Sequence, residues 1–267
     1  MEQISNDEWF EANLNPDQYR TKLGIHIPDL PPDEVQVRFT GRQGRENLQH
    51  AFDFYNFVLA HMPDLTMNKY DVLDFGGGWG RVLRFFLREF QPERLTMVDC
   101  LTDAVECARS LNSPFTIIHS NVNPPLPLTE DSVGLCYAFS VFSHLAEQQS
   151  CDWLRHFANL LVPGGKLFLT TRGKSQIAYL ELLVQTDSPN PLLNVLPGPE
   201  VIRDHYEKGV FQFYPAAGGG ELTQDFYGET WIPREWFEER YISLGFSACD
   251  FYEEFQTIDQ CVFVLTK

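Results

Sequence analysis

Val72-Leu73-Asp74-Phe75-Gly76-Gly77-Gly78-Trp79-Gly80-Arg81 is the stretch that decides the fold. A short apolar strand over 70–75 ends in an acid and a glycine-rich turn. Residues 81–90 then read as a helix, apolar over much of its circumference. Glycines at a strand-to-helix turn let a ligand approach the backbone and supply positive φ. Two ligand fingerprints fail on spacing. A dinucleotide G-x-G-x-x-G would need its third glycine at Arg81 or Leu83, and a P-loop would need Ser or Thr after Lys166, where Leu167 stands. What remains is D-x-G-x-G-x-G, carried by Asp74, Gly76, Gly78 and Gly80.

Outward from this turn, strands and helices alternate. Strands are predicted over 95–98 (closed by Asp99), 115–119, 133–138 and 166–171. Helices are predicted over 102–111, with Thr102 as N-cap, and over 145–161; Pro163-Gly164-Gly165 reads as a turn. Alternation at this pace implies a parallel sheet covered on both faces. Residues 234–244 read as a helix, and 246–255 and 261–266 as two closing strands joined by a tight turn. The expected fold is therefore α/β. It has a Rossmann-like, seven-stranded, mostly parallel sheet with an antiparallel last strand. Two regions lie outside it. Residues 1–66 read as an N-terminal helical extension, with an apolar stripe over 45–62 (Leu48, Ala51, Phe52, Tyr55, Val58, Leu59 and Met62) ended by Pro63. Residues 173–233 interrupt the core domain, 67–267, with one helical piece over 175–184 and then a proline- and glycine-rich run.

Asp99, nineteen residues after Gly80, stands where a carboxylate can accept hydrogen bonds from ribose hydroxyls; its plainer role is to cap the next helix. Together with the Asp74–Gly80 pattern it resembles motif I and its sequel in class I, Rossmann-like, S-adenosylmethionine-dependent methyltransferases of the bacterial small-molecule type. The resemblance covers residues 70–172. It continues in Ser120-Asn121-Val122, in Phe139-Ser140-Val141-Phe142-Ser143-His144-Leu145, and in Leu161-Val162-Pro163-Gly164-Gly165-Lys166-Leu167. It implies S-adenosylmethionine as cofactor and S-adenosylhomocysteine as product. The implied cofactor-binding set is Asp74, Gly76, Gly78, Trp79, Gly80, Asp99, Cys100, Asn121, Val122, Phe139 and Ser140. The sequence departs from the family at Gly134, where an Asp is frequent, and at Asn121, an amide in place of an acid. Asn123-Pro124-Pro125-Leu126 is similar to an amine-methyltransferase motif, but it follows the third strand and lacks the final aromatic. It reads as a rigid connector.

Methyl transfer from a sulfonium is an in-line displacement that gains most from positioning, and a hydroxyl acceptor gains further from a general base. His144, just past the fourth strand, is the candidate base; packing near a helix start is its plainer role. Tyr206, Tyr214, Tyr227 and Glu229 are further candidates. The expected acceptor is a small molecule methylated at oxygen, such as a natural product or sugar-like compound, held by residues 1–66 and 173–233. A protein methyltransferase, a non-catalytic cofactor-binding protein and an aminopropyl transferase are the alternatives. A net charge of −17 disfavours nucleic acid as partner. Arg38, Arg42 and Arg45 are the nearest basic cluster, diluted by Glu34 and Glu46. Six scattered cysteines without C-x-x-C spacing point to free thiols rather than a metal site. With no apolar stretch of membrane-spanning length and an acidic start, a cytoplasmic protein is expected.

Overall fold

The computed structural model describes residues 4–62, 69–187, 189–253 and 260–267. Pro63, the 66/67 boundary, Phe255 and the turn before Gln260 lie outside the described residues. The chain forms two compact units, residues 1–120 and 121–267.

The first unit opens with helices α1 (Asn6–Leu14), α2 (Pro16–Leu23), α3 (Asp33–Thr40) and α4 (Gly44–Ala60). Strands β1 (Asp71–Phe75) and β2 (Leu95–Asp99), helix α5 (Thr102–Ser110) and strand β3 (Thr116–His119) follow. β1 pairs with β2, and β2 with β3, all parallel. Of the expected stripe, Leu48, Ala51, Phe52, Tyr55 and Val58 are buried; Leu59 is half-buried, and Met62 lies beyond the end of α4 at Ala60. The stripe's rings meet Phe85 and Phe86 at centroid distances of 5.1 Å for Phe52–Phe85 and 5.0 Å for Tyr55–Phe86.

Two local expectations are corrected here. The helix expected over 81–90 is shorter, Leu83–Arg88, and is a 3-10 helix. Five of its residues, Arg84 included, are buried, so tertiary contacts outweigh local propensity. The N-cap of α5 is Leu101 rather than Thr102, and its side chain makes no cap bond. The Leu101 amide donates instead to Asp99 Oδ1, 2.9 Å away.

The second unit contains β4 (Val133–Ala138), α6 (Glu147–Leu160), β5 (Leu161–Thr171), α7 (Lys174–Gln185), α8 (Pro199–Glu207), β6 (Gln212–Pro215), β7 (Gly228–Trp231), α9 (Arg234–Arg240), β8 (Ala248–Tyr252) and β9 (Cys261–Thr266). β5 runs parallel to β4, and β9 antiparallel to both β5 and β8. Strand order in the sheet is β3-β2-β1-β4-β5-β9-β8, the expected mostly parallel seven-stranded arrangement. Among the described residues, no helix is long and apolar enough to cross a membrane.

Pro163-Gly164-Gly165 is not a separate turn. β5 runs through it with a shift of register, Val133 pairing with Leu161 and Leu135 with Lys166. Backbone bonds join Gly164 N–H to the Lys267 carbonyl and Lys267 N–H to the Gly165 carbonyl, each at 3.0 Å. The chain's last residue therefore takes up hydrogen bonds that a free turn would expose. α9 ends at Arg240, short of the expected 244. Residues 173–233 are more ordered than their composition suggests. Beyond the expected helix they hold α8 and the antiparallel pair β6–β7. Ile177, Leu180 and Leu183 from α7, Ile202 and Tyr206 from α8, and Trp231 share one small core.

Candidate active site

In the first unit the glycine turn is built by backbone. Gly76 and Gly77 both donate to the Val98 carbonyl, at 2.8 and 3.2 Å. Gly76, Gly78 and Gly80 all have positive φ. Gly78 donates to Asp99 Oδ2 at 2.9 Å, and a Cβ placed on it would meet nothing within 4 Å. Its backbone therefore faces open space beside a carboxylate. A Cβ on Gly77, by contrast, would stand 2.4 Å from Met97 Cγ and 2.9 Å from Asp74 Cγ. Gly77 lies outside the D-x-G-x-G-x-G spacing, so the sequence reading passes over it.

Asp99 is buried, and burial pushes its pKa up against the hydrogen bonds from Leu101, Gly78 and Cys100. Its two oxygens are spread between helix start and glycine turn, so it caps and faces the turn at once. Each oxygen retains acceptor capacity for a ligand hydroxyl. The Cys100 carbonyl accepts from His119 Nε2, 2.9 Å away. Asp74 is buried, and its charge partly offsets the lowering of the Arg81 pKa by burial. The Trp79 side chain is fully buried, with the Arg84 guanidinium 5.7 Å from its ring centre. What Trp79 offers a ligand is therefore main chain.

Arg81 and Arg84 tie the turn to the N-terminal helices. Arg81 Nη1 donates to the Asn47 side chain at 2.9 Å. Arg84 donates to Asn13 Oδ1 at 3.0 Å and to the carbonyls of Asn13, Pro28 and Asp29. Burial lowers both guanidinium pKa values, to about 10 and about 9. Arg38, Arg42 and Arg45 each have an acidic neighbour. They pair with Asp103, Glu46 and Glu11 respectively.

In the second unit, the residues after β4 are held by side chains from distant parts of the sequence. Ser140 adopts φ 62°, a left-handed conformation unusual for a non-glycine residue. Its N–H donates to Thr170 Oγ1 at 2.7 Å, and its hydroxyl accepts from Gln260 Nε2 at 2.9 Å. Phe139 is buried and Asn121 exposed. The Val122 carbonyl accepts from Gln149 and from Trp153 Nε1.

His144 lies outside α6, which starts at Glu147 rather than the expected 145. Residues 143–146 pair instead with the strand β7 and the residues before it. Gly228 N–H donates to the His144 carbonyl at 2.8 Å and Thr230 N–H to that of Ser143 at 2.9 Å. Leu145 bridges Tyr227. The imidazole stacks on the Tyr227 ring, with centroids 4.9 Å apart and planes within 5°. Nδ1 is 2.8 Å from the Gly228 carbonyl oxygen. A carbonyl only accepts, so Nδ1 carries the hydrogen and Nε2 keeps its lone pair. Burial, with Arg172 adding to it, lowers the His144 pKa to about 3, so the ring is neutral at pH 7.

Arg172 closes the cluster from the end of β5. It donates to the Ser143 carbonyl, ion-pairs with Glu229, and lies 5.3 Å from the centre of the Trp231 ring. The sequence reading misses Arg172. Its signal is a charged residue at the end of a buried strand, next to Gly173.

Comparison with known proteins bears on the fold that carries these groups. A family model for a methyltransferase domain matches residues 72–165, from β1 into the bulge of β5. No curated protein matches significantly. Among solved structures, magnesium protoporphyrin IX methyltransferase from Synechocystis, with S-adenosylhomocysteine bound, aligns with a TM-score of 0.54 and 12% identity, over 96% of this chain and 99% of that one. A putative O-methyltransferase from Nostoc punctiforme aligns at 0.54 and 14%, over 97% and 69%. A S-adenosylmethionine-dependent methyltransferase from Mesorhizobium loti aligns at 0.51 and 13%, over 80% and 98%. At such identities the likeness concerns the fold. With the match to a methyltransferase-domain model over 72–165 and the sheet order β3-β2-β1-β4-β5-β9-β8, the chain has the Rossmann-like fold of the class I, S-adenosylmethionine-dependent methyltransferases.

Proposed function

We propose that this protein transfers a methyl group to a hydroxyl oxygen of a small-molecule acceptor, with His144 receiving the proton. The observation that carries this reading is the tautomer of His144. Nδ1–H is committed to Gly228, which leaves a neutral Nε2 lone pair on a ring stacked against Tyr227. Bound S-adenosylmethionine supplies an activated methyl group. The residues of the first unit fit such a group. Gly78 offers an open main-chain face, and Asp99 offers a carboxylate at the end of β2 for ribose hydroxyls. Asn121, Val122, Phe139 and Ser140 belong to the second unit.

Residues 173–233 serve as the acceptor region. Their β7 strand is bonded to the His144 segment, and Tyr227 and Glu229 flank the imidazole. The acidic surface suits a cytoplasmic enzyme that does not handle nucleic acid. It also favours, as a second reading, a basic peptide acceptor.

Calorimetry on the full chain tests the cofactor half. Both S-adenosylmethionine and S-adenosylhomocysteine bind, and Asp99→Ala weakens binding by about 1–3 kcal/mol. Screening hydroxylated small molecules and lysine-rich peptides for methyl uptake tests the acceptor half. With an accepted hydroxyl compound, His144→Ala lowers turnover about 10²–10⁴-fold and leaves cofactor affinity nearly unchanged. Uptake by peptides alone, or an unaltered His144→Ala rate, sinks the reading.

A further inference from the structure

We propose that Arg172 and Glu229 are positioning residues for methyl transfer, an ion pair that holds the His144 imidazole with Nδ1–H on Gly228 and a lone pair on Nε2. This rests on the hydroxyl-methylation reading above.

The geometry sets up a competition. Glu229 Oε1 lies 3.8 Å from His144 Nδ1, so the carboxylate is near enough to favour an imidazolium. An imidazolium has no lone pair and cannot take the acceptor's proton. Arg172 pairs with the other carboxylate oxygen and offsets that pull. Both side chains of the pair are about nine-tenths buried, where solvent screens them little. Arg172 is itself fixed by the Ser143 carbonyl and the Trp231 ring. One guanidinium thus joins the end of β5, the His144 segment and β7.

Among the described residues, the groups facing the imidazole are Arg172 from just after β5, Glu229 from β7 and Tyr227 from the chain leading into β7. Burial and Arg172 both act against protonation; the Gly228 carbonyl acts for it.

In the reaction the acceptor oxygen bonds to the methyl carbon as the carbon–sulfur bond breaks, and that electron pair stays on sulfur. The acceptor's proton moves to Nε2. The resulting imidazolium still donates through Nδ1 to Gly228, with Glu229 nearby to stabilise its charge until the proton passes to water. The pair thus leaves the base free before transfer and tolerates its charge afterwards.

The test needs no acceptor. In the full chain with ¹⁵N-labelled histidine, NMR reads the tautomer and charge of His144 between pH 5 and 8. Wild type shows neutral Nδ1–H imidazole throughout. Arg172→Met leaves Glu229 unbalanced, and His144 takes up a proton with a midpoint above pH 6. The double variant Arg172→Met/Glu229→Gln removes both charges and returns His144 to the neutral form at pH 6. A merely structural pair would not give this reversal. Calorimetric binding of S-adenosylhomocysteine confirms that each variant is folded. Wild-type His144 titrating between pH 6 and 7 overturns the proposal without any variant, as does an Arg172→Met protein whose His144 stays neutral. The expected NMR pattern without methyl uptake by any hydroxyl compound would instead remove the hydroxyl reading and leave the pair's effect on His144 standing.

Discussion

The glycine turn after β1 and the His144 segment after β4 each follow the carboxyl end of a parallel strand, yet they are built in opposite ways. The turn is a main-chain object. Its bonds run from Gly76, Gly77 and Gly78 to Val98 and Asp99, and its residue types are dictated by positive φ and close approach. The segment from Ser140 to His144 is shaped by groups far away in sequence: Thr170, Arg172, Gly228 and Gln260. The difference teaches where information resides. Backbone constraint writes itself into neighbouring letters. Side-chain assembly is distributed over the chain and becomes visible only when the topology closes.

The comparison breaks most readily at the turn's supports. Arg84 lies beside the turn, and its hydrogen-bond partners Asn13, Pro28 and Asp29 all belong to the N-terminal region. Deleting residues 1–40 removes these partners together with the buried Trp9, Phe10 and Ile27. The expected cost is about 3–5 kcal/mol, a large share of a domain's usual margin. Urea unfolding checks it. A truncated chain with an unchanged midpoint would show that the turn stands by main chain alone.

A smaller effect sharpens the contrast. Gly77→Ala puts a Cβ against Met97 and Asp74, neither of which can yield freely, and should cost about 1–3 kcal/mol. Ser140→Gly relieves a left-handed serine while losing its Gln260 bond, so the two effects offset and stability changes by less than about 1 kcal/mol. Thermal melts of the two variants read both. Equal losses would contradict the division between a main-chain site and a side-chain site.

The same division explains how far the sequence could be read. Strand alternation, the parallel sheet and the glycine turn were legible because apolar period and glycine spacing are local. His144 was legible as a candidate through its place after β4. Its tautomer was not, because that depends on a Gly228 carbonyl 84 residues away. The 3-10 character of Leu83–Arg88 is not legible, because an apolar pattern over much of the circumference does not reveal which hydrogen-bond spacing the packing will impose. Residues 173–233 look largely irregular in sequence because their prolines conceal their role. Pro199 opens α8, where its missing N–H costs nothing, and β6–β7 is too short for a clear period-two signal.

The pH dependence of stability probes both regions with one measurement. His50 on α4 and His144 beside β7 each have a pKa lowered to about 3, mainly by burial. An unfolded histidine titrates near 6.5. Between these values the unfolded chain binds protons that the folded chain refuses. The contribution of each histidine is therefore fully present above about pH 6.5 and is lost as pH falls towards 3. One unit below 6.5 the loss is about 1 kcal/mol per histidine. Glu89 and Glu229 have raised pKa values and act in the opposite sense, so absolute stability at one pH does not isolate the effect. The difference in urea midpoint between pH 7.5 and pH 5.5 does, when wild type is compared with His50→Gln and with His144→Gln. Each variant should flatten the pH dependence by a similar amount, one acting through the helix that supports the glycine turn and the other through the side-chain cluster. A flattening in His50→Gln alone would mean that the His144 cluster admits a proton in the folded state, and the second region would then be a more open structure than the first.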